Sequence, residues 1–405
     1  MHRKPAVPSG PAAVRRLIGV LLCAVPALAQ GGARPGSDEV LLGMSTALTG
    51  PASDLGNGML DGVRAALAEV DRSGGIRGRH VRLIALDDGY EPDRTGPNVR
   101  QLVEKNKVVA VVGDVGTPTA VAALPIADAS GTPFYGAFTG AGLLRKTPPD
   151  PWVVNYRASY AEETRTMIDG LVEHAGLAPR EIAFFTQRDA YGDAGFASGV
   201  AALQAHGLKD AGSVLHVRYE RNTVAVEKAL ADVLLADPPP RAIILIGAYR
   251  PCAAFIRLAR QNGVEALFLN VSFVGSASLV RELGPLSEGV IVTQVVPHFR
   301  SDVPVVAEYR EALRTLDPAK EPGFVSLEGY LSTRVLLRAL GEIEGPPDRA
   351  SLRRALEGLG TFDLGLGEPL RLSPEEHQAC HRVWPTILRG GEALPFEWSE
   401  LKKGP

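Results

Sequence analysis

Apolar runs and helical stripes alternate along most of this chain. "EVLLGMSTAL" (39 to 48) reads as a buried strand that stops at Thr49-Gly50-Pro51, after which Val63, Ala66, Leu67 and Val70 fall on a single helix face. "HVRLIALDD" (80 to 88) predicts a second strand, and Val99, Leu102 and Val103 a second helix stripe. "VVAVVG" (108 to 113) predicts a third strand, followed by a helix over 119 to 129 that leads into "TPFYGAF" (132 to 138). A β-α-β-α-β rhythm of this kind implies a parallel sheet covered by helices on both faces.

The rhythm restarts after a junction near 155 to 160. Strands are expected at "EIAFFTQ" (181 to 187), "SVLHVRYE" (213 to 220), "RAIILIG" (241 to 247) and "ALFLN" (266 to 270), with helices over 193 to 205, 224 to 235 and 251 to 262 between them. Beyond "GVIVTQVV" (289 to 296), helical patterns cover 303 to 316, 324 to 340 and 349 to 358, and the tail reads as short strands and turns. The fold class is therefore α/β, with two doubly wound parallel-sheet lobes. In open parallel sheets, ligands sit beyond the carboxyl ends of strands, where helix N-termini point outward. The loops at 49 to 56, 113 to 119, 137 to 140, 187 to 193, 247 to 251 and 270 to 275 all occupy such positions and could face one cleft.

Composition narrows the class. With 405 residues, 45% hydrophobic and 22% charged, the chain is long enough for two ordinary domains. The first 29 residues read as a cleavable export signal. They combine a basic start (Arg3, Lys4, Arg15, Arg16), the apolar run "LIGVLLCAVPALA" and an A-x-A site at Ala27-Leu28-Ala29. Arg15-Arg16 and Cys23 raise twin-arginine export and lipidation as variants, but their flanking residues fit neither. A formal net charge of −3 gives no electrostatic basis for binding nucleic acid. Cys252 and Cys380 remain after the leader, and an oxidising compartment permits a disulfide between them without requiring one.

The candidate chemistry is sparse. "GDVGTPTA" (113 to 120) lacks the lysine of a phosphate-binding P-loop and is not G-x-G-x-x-G, so no nucleotide or other cofactor is expected. Thr117 and Thr119 offer hydroxyls beside the free N–H groups of a helix start. Those groups can receive a carboxylate, or the threonines can cap their own helix; the loop alone leaves both readings open. "HQACH" puts His377 and His381 four residues apart, but Pro374 and Pro385 leave little room for the helix a metal site would need, and no metal is expected. With no G-x-S-x-G elbow and few histidines at the six loops, no catalytic residue is expected. The aromatics Phe138, Tyr160, Tyr191, Tyr249 and Phe273 lie at or beside strand ends of both units, as in a lined, partly apolar pocket.

Four segments together resemble a known family: "TGPASDLGNGMLDGVRAALAEVDRSGGIRGRHVRLIALDDGYEPDRT", "VVGDVGTPTAVAALPIADASGTPF", "QRDAYGDAGF" and "EGYLSTRVLLRAL". The chain resembles extracytoplasmic solute-binding proteins of the branched-chain amino acid type, the binding components of ABC importers. The resemblance implies two lobes joined by a three-strand hinge that close on a small-molecule ligand, with lobe 1 at 38–156 plus 297–364 and lobe 2 at 157–296 plus 365–405. It implies a periplasmic monomer that hands its ligand to a membrane ABC permease. By matching position, Thr117 takes the place of a serine that holds the ligand carboxylate. Phe138 and Gly140 fall in the next ligand loop, Leu55 lines the far wall of lobe 1, and Tyr191 and Tyr249 close from lobe 2.

One position departs from the family pattern. Where the family usually carries a glutamate for the ligand's α-ammonium, this chain has Ser272 in "NVSFVG". A hydroxyl cannot balance a buried ammonium. Either another acid serves, with Glu162 (beside Tyr160), Asp193 and Asp114 nearest in the pattern, or the ligand lacks an α-amine. A sensor that docks on a membrane receptor or kinase, and less readily an α/β enzyme, remain as alternatives.

Overall fold

The computed structural model describes residues 39–401, so the expected leader at 1 to 29 lies outside the described residues. The first lobe begins with β1 (Glu39–Thr46), α1 (Ser53–Arg72), β2 (His80–Asp87), α2 (Pro92–Arg100), β3 (Ala110–Val112), α3 (Thr117–Ala129), β4 (Phe134–Tyr135) and β5 (Val153–Val154). Its five strands run in the order β2-β1-β3-β4-β5, and every neighbouring pair is parallel.

The second lobe continues with α4 (Tyr160–Glu173), β6 (Ile182–Gln187), α5 (Ala190–Ala205), β7 (His216–Tyr219), α6 (Glu227–Leu234), β8 (Ala242–Ile246), α7 (Tyr249–Gln261), β9 (Leu267–Asn270), α8 (Ser276–Leu283) and β10 (Ile291–Gln294). Every residue of β6 and β8 is buried, which is why these strands read as unbroken apolar runs rather than alternating ones. The chain then forms α9 (Pro304–Leu316), α10 (Phe324–Gly341), α11 (Arg349–Glu357), the hairpin β11 (Gly360–Phe362) and β12 (Leu370–Leu372), and finally β13 (Trp384–Arg389) and β14 (Glu392–Pro395). The second sheet has the order β14-β13-β10-β9-β8-β6-β7, and β13 and β14 add to it antiparallel. The tail thus turns a parallel sheet into a mixed one.

Helices α9 and α10 return to the first lobe and pack on α1. Small residues permit the close crossing: a side chain on Gly62 would overlap the Ser326 carbonyl, and one on Gly329 would lie 2.5 Å from the Met59 carbonyl. The chain therefore crosses between the lobes three times, after β5, after β10 and before β13. The first and third crossings pair directly. Asn155 donates its N–H to the His377 carbonyl at 2.7 Å, and Ala379 and Cys380 donate to the carbonyls of Asn155 and Tyr156 at 2.9 and 2.8 Å.

One expectation is adjusted. The boundary at 364/365 falls inside the β11–β12 hairpin, whose strands pair with each other, so the third crossing lies beyond Leu372. The "HQACH" segment is extended rather than helical. His377 turns its ring to the Val153 carbonyl at 2.8 Å, while His381 contacts Glu162 at 2.6 Å. Cys252 and Cys380 are separate, buried thiols.

Candidate functional site

The sequence "GDVGTPTA" folds as a strand end, a glycine turn and a helix start. Gly116 has φ +107°, a conformation other residues rarely adopt, and any side chain there would strike the Tyr90 ring. Helix α3 then opens at Thr117, leaving first-turn N–H groups without helical acceptors and a positive dipole end. The Thr117 hydroxyl lies 2.7 Å from that of Thr139, which in turn lies 3.3 Å from the Tyr160 hydroxyl. Gly140 admits this approach: Tyr160 donates its N–H to the Gly140 carbonyl at 2.8 Å, and a Cβ on Gly140 would sit 2.6 Å from the Tyr160 nitrogen. Thr119 behaves differently. Its hydroxyl bonds back to the carbonyls of Val115 and Gly116 at 2.5 and 2.9 Å, so it serves its own helix start.

The second lobe closes over these groups with aromatic rings. Phe273 has its centroid 5.3 Å from Phe138, 5.9 Å from Tyr90 and 4.5 Å from Tyr191, and Tyr191 lies 5.4 Å from Tyr160. The lobes also meet through polar contacts. Gln187 donates to the Tyr90 hydroxyl at 3.0 Å, Glu91 accepts from Arg221 at 2.8 Å and Asn222 at 2.6 Å, and Asp54 accepts from Ser278 at 2.7 Å and from Arg281. Leu55 covers Gly275, where a Cβ would stand 2.7 Å from its Cδ2. The Tyr249 hydroxyl is buried at the start of α7. Neither it nor the Tyr191 hydroxyl has a well-formed hydrogen bond among the described residues, and burial pushes both phenols up. A cleft of about 450 Å³ opens beside this cluster rather than within it, lined by Leu55, Gly275, Phe299 and Phe324 among others.

Charge enters from the hinge. Arg157, just past β5, is 1% exposed, and its guanidinium lies 4.8 Å over the Phe138 ring. It pairs with Glu163 of α4 at 3.2 Å and with Glu328 of α10 at 3.5 Å, and it donates to the Ser272 hydroxyl. Glu163 also accepts the Ser272 N–H at 2.7 Å, the Ser272 hydroxyl at 3.0 Å and the Thr293 hydroxyl at 2.6 Å. Burial works against the charge of Arg157, yet Glu328 and Glu163 more than offset it and its pKa lies above the ordinary value. Burial also raises Glu163, against the opposing pull of Arg157, Ser272 and Thr293. Glu328 is raised to about 7 by burial, with Arg157 opposing and Glu163 adding to the rise.

The acids proposed to compensate for Ser272 do not reach it. Glu162 faces the hinge instead: burial would raise it, but His381, Ser159 and Gln378 hold it at about 2. Asp193 is exposed and pairs with Arg218 at 2.5 Å. Asp114 is buried behind its own loop, where its carboxylate accepts the Ser45 N–H at 3.1 Å and its carbonyl accepts the Phe138 N–H at 2.8 Å. It ties the loops at 113 to 119 and 137 to 140 together from behind. The acid beside Ser272 is Glu163.

Residues 39–392 match the periplasmic binding protein family. The chain belongs to that family. This periplasmic binding protein is 50% identical to a structure described as a possible leucine/isoleucine/valine-binding protein from Rhodopirellula baltica. That likeness covers 92% of this chain and all of the other, with a TM-score of 0.88. It is 25% identical over 356 residues to the Leu/Ile/Val-binding protein homolog 7 of Brucella abortus, covering 84% and 86% of the two chains. A Pseudomonas aeruginosa amino acid binding protein is 23% identical across 90% of this chain and 91% of its own. These relatives are binding proteins rather than enzymes.

Sequence reasoning about this periplasmic binding protein missed Tyr90, Thr139, Arg157, Glu163 and Glu328. One signal could have found Glu163. "SYAE" (159 to 162) is a capping-box pattern, and in the structure Ser159 and Glu162 bond each other's backbone N–H. A glutamate committed to a cap is unavailable for a ligand, which leaves its neighbour. Arg157 carries no such mark, because a lone arginine before a helix reads as a surface residue.

Proposed function

We propose that this periplasmic binding protein captures a small carboxylate-bearing solute between its lobes and delivers it to a membrane ABC permease. The observation that carries this reading is the Thr117–Thr139–Tyr160 hydroxyl chain at the start of α3, closed over by Tyr191 and Phe273 of the opposite lobe. Free N–H groups and a hydroxyl suit a carboxylate; hydrogen bonds to a charged group contribute roughly 1.5–3 kcal/mol each. The aromatic cap excludes water and strengthens those bonds. Ligand binds first to lobe 1 and then favours the closed arrangement, in which the Tyr90–Gln187 and Glu91–Arg221 contacts form. No covalent step or cofactor is involved, and the mature chain acts outside the cytoplasm as a monomer. Isothermal titration with leucine, isocaproate and short dicarboxylates, alongside mass spectrometry of solute that co-purifies, tests this. Binding of at least one acid with the acid recovered unchanged supports it; no binding across the panel, or turnover of any member, overturns it.

A further inference from the structure

Unpartnered donors meet around the aromatic cluster between the lobes. The Nε and Nη1 groups of Arg157 have no hydrogen-bond acceptor among the described residues, although the side chain is 1% exposed. Nη1 has only the 3.5 Å ion pair with Glu328. The Tyr191 hydroxyl, also fully buried, is likewise unpartnered. These groups surround the same rings: the guanidinium lies over Phe138, and Phe138 and Tyr191 both pack on Phe273. Orphaned buried donors are costly, and they mark where an acceptor belongs.

Glu163, by contrast, has nothing left to offer. Arg157, the Ser272 N–H, the Ser272 hydroxyl and Thr293 already fill its roughly four acceptor positions. A ligand ammonium arriving at Ser272 would meet a saturated carboxylate and a guanidinium of its own sign. An oxyanion would instead meet a guanidinium whose Nε and Nη1 groups are both free to donate, on separate edges.

Building on the solute-binding reading above, we infer that Arg157 recognises a second acidic group, so that the ligand is a small dicarboxylate without an α-amine. Thr117 and the start of α3 hold one carboxylate; Arg157, assisted by the Tyr191 hydroxyl, receives the other. Ser272 then has a positive purpose, since it orients Arg157 and Glu163 without adding negative charge.

Isothermal titration of the full mature chain, refolded to strip co-purified solute, tests this with succinate, glutarate, adipate, isocaproate and leucine. At least one diacid is expected to bind about tenfold tighter than isocaproate or leucine. Arg157→Gln is expected to remove that preference while leaving isocaproate within about threefold of the parent value. Arg157→Lys keeps the charge that Glu163 needs but loses the Nε and Nη1 donors of the guanidinium; it should fold where the glutamine variant does not and give an intermediate diacid preference. Leucine binding tighter than every diacid to the unmodified chain overturns the inference and leaves solute binding intact. An equal loss for diacid and isocaproate in the arginine variants overturns it as well. Failure of the whole panel to bind defeats the underlying solute reading instead.

Discussion

The Glu163 carboxylate grips Ser272 twice, accepting its backbone N–H at 2.7 Å and its hydroxyl at 3.0 Å. An acid therefore stands beside Ser272, but it comes from α4 rather than from the loop after β9. It also arrives already paired with Arg157. Removing Glu163 would leave Arg157 only its 3.5 Å partner Glu328, whose carboxyl is raised to about 7, and losing a partner of a buried charge costs more than a lost hydrogen bond. Glu163→Gln is expected to lower unfolding free energy by roughly 3 kcal/mol, against about 1 kcal/mol for Ser272→Ala, read by urea denaturation. Equal effects would mean that the charge of Glu163 is not what holds this junction.

Thr117 and Thr119 stand two residues apart with different hydrogen-bond partners. The Thr117 hydroxyl points to Thr139, whereas Thr119 is engaged by the carbonyls of its own helix start. Thr117→Val should weaken carboxylate binding about tenfold, with unfolding free energy changed by less than about 1 kcal/mol. Thr119→Val should do the reverse, costing about 1 kcal/mol of stability with affinity kept. Titration and denaturation of both variants check the pair; matching affinity losses would place both hydroxyls on the ligand.

Where local pattern decided the outcome, the sequence was readable. The apolar runs at 181 to 187 and 241 to 247 became β6 and β8, buried along their full length, and the stripes at 303 to 316 and 324 to 340 became α9 and α10. The start of α3 and the aromatic positions were visible for the same reason. The charged centre was not, because nothing in "NYRASY" records that Glu163, Ser272 and Glu328 converge on Arg157. That convergence is a product of three chain crossings and two sheets. Burial of a charge is set by tertiary partners, whereas burial of an apolar stripe is written in its period.

Glu91 bridges the lobes at the rim, accepting from Arg221 and Asn222 across the cleft. These groups are partly exposed, so their coupling is worth about 0–1 kcal/mol and is screened by salt. Glu91→Gln should therefore raise the dissociation rate of bound ligand by a factor of about two to five at low salt, with the association rate nearly unchanged. Stopped-flow measurements at low and high salt check this; an effect that grows with salt would exclude an electrostatic clasp.

Glu328 ties the site to pH. Its carboxyl is raised from 4.5 to about 7 by burial, and it faces Arg157 from the hinge, Glu163 from α4 and Arg145 from the loop after β4, with Tyr156 and Cys380 close by. Because the folded state holds this proton more tightly than the unfolded chain, stability from this group is greatest below about pH 4.5. It declines as pH rises towards 7 and is level above it. Glu328→Gln keeps the shape without the titration, and Arg157 retains Glu163. The variant should therefore match the parent near about pH 4 and be more stable by roughly 2 kcal/mol near about pH 8. Subtracting the two urea-denaturation profiles isolates Glu328 from His381, whose pKa is also raised, by its hydrogen bond to Glu162. The same proton bears on the ligand. An anion bound at Arg157 favours neutral Glu328, so dicarboxylate affinity should fall as pH rises through about 7 in the parent and stay flat in Glu328→Gln. A parent profile that rises with pH, or one that the substitution leaves unchanged, would remove Glu328 from the account.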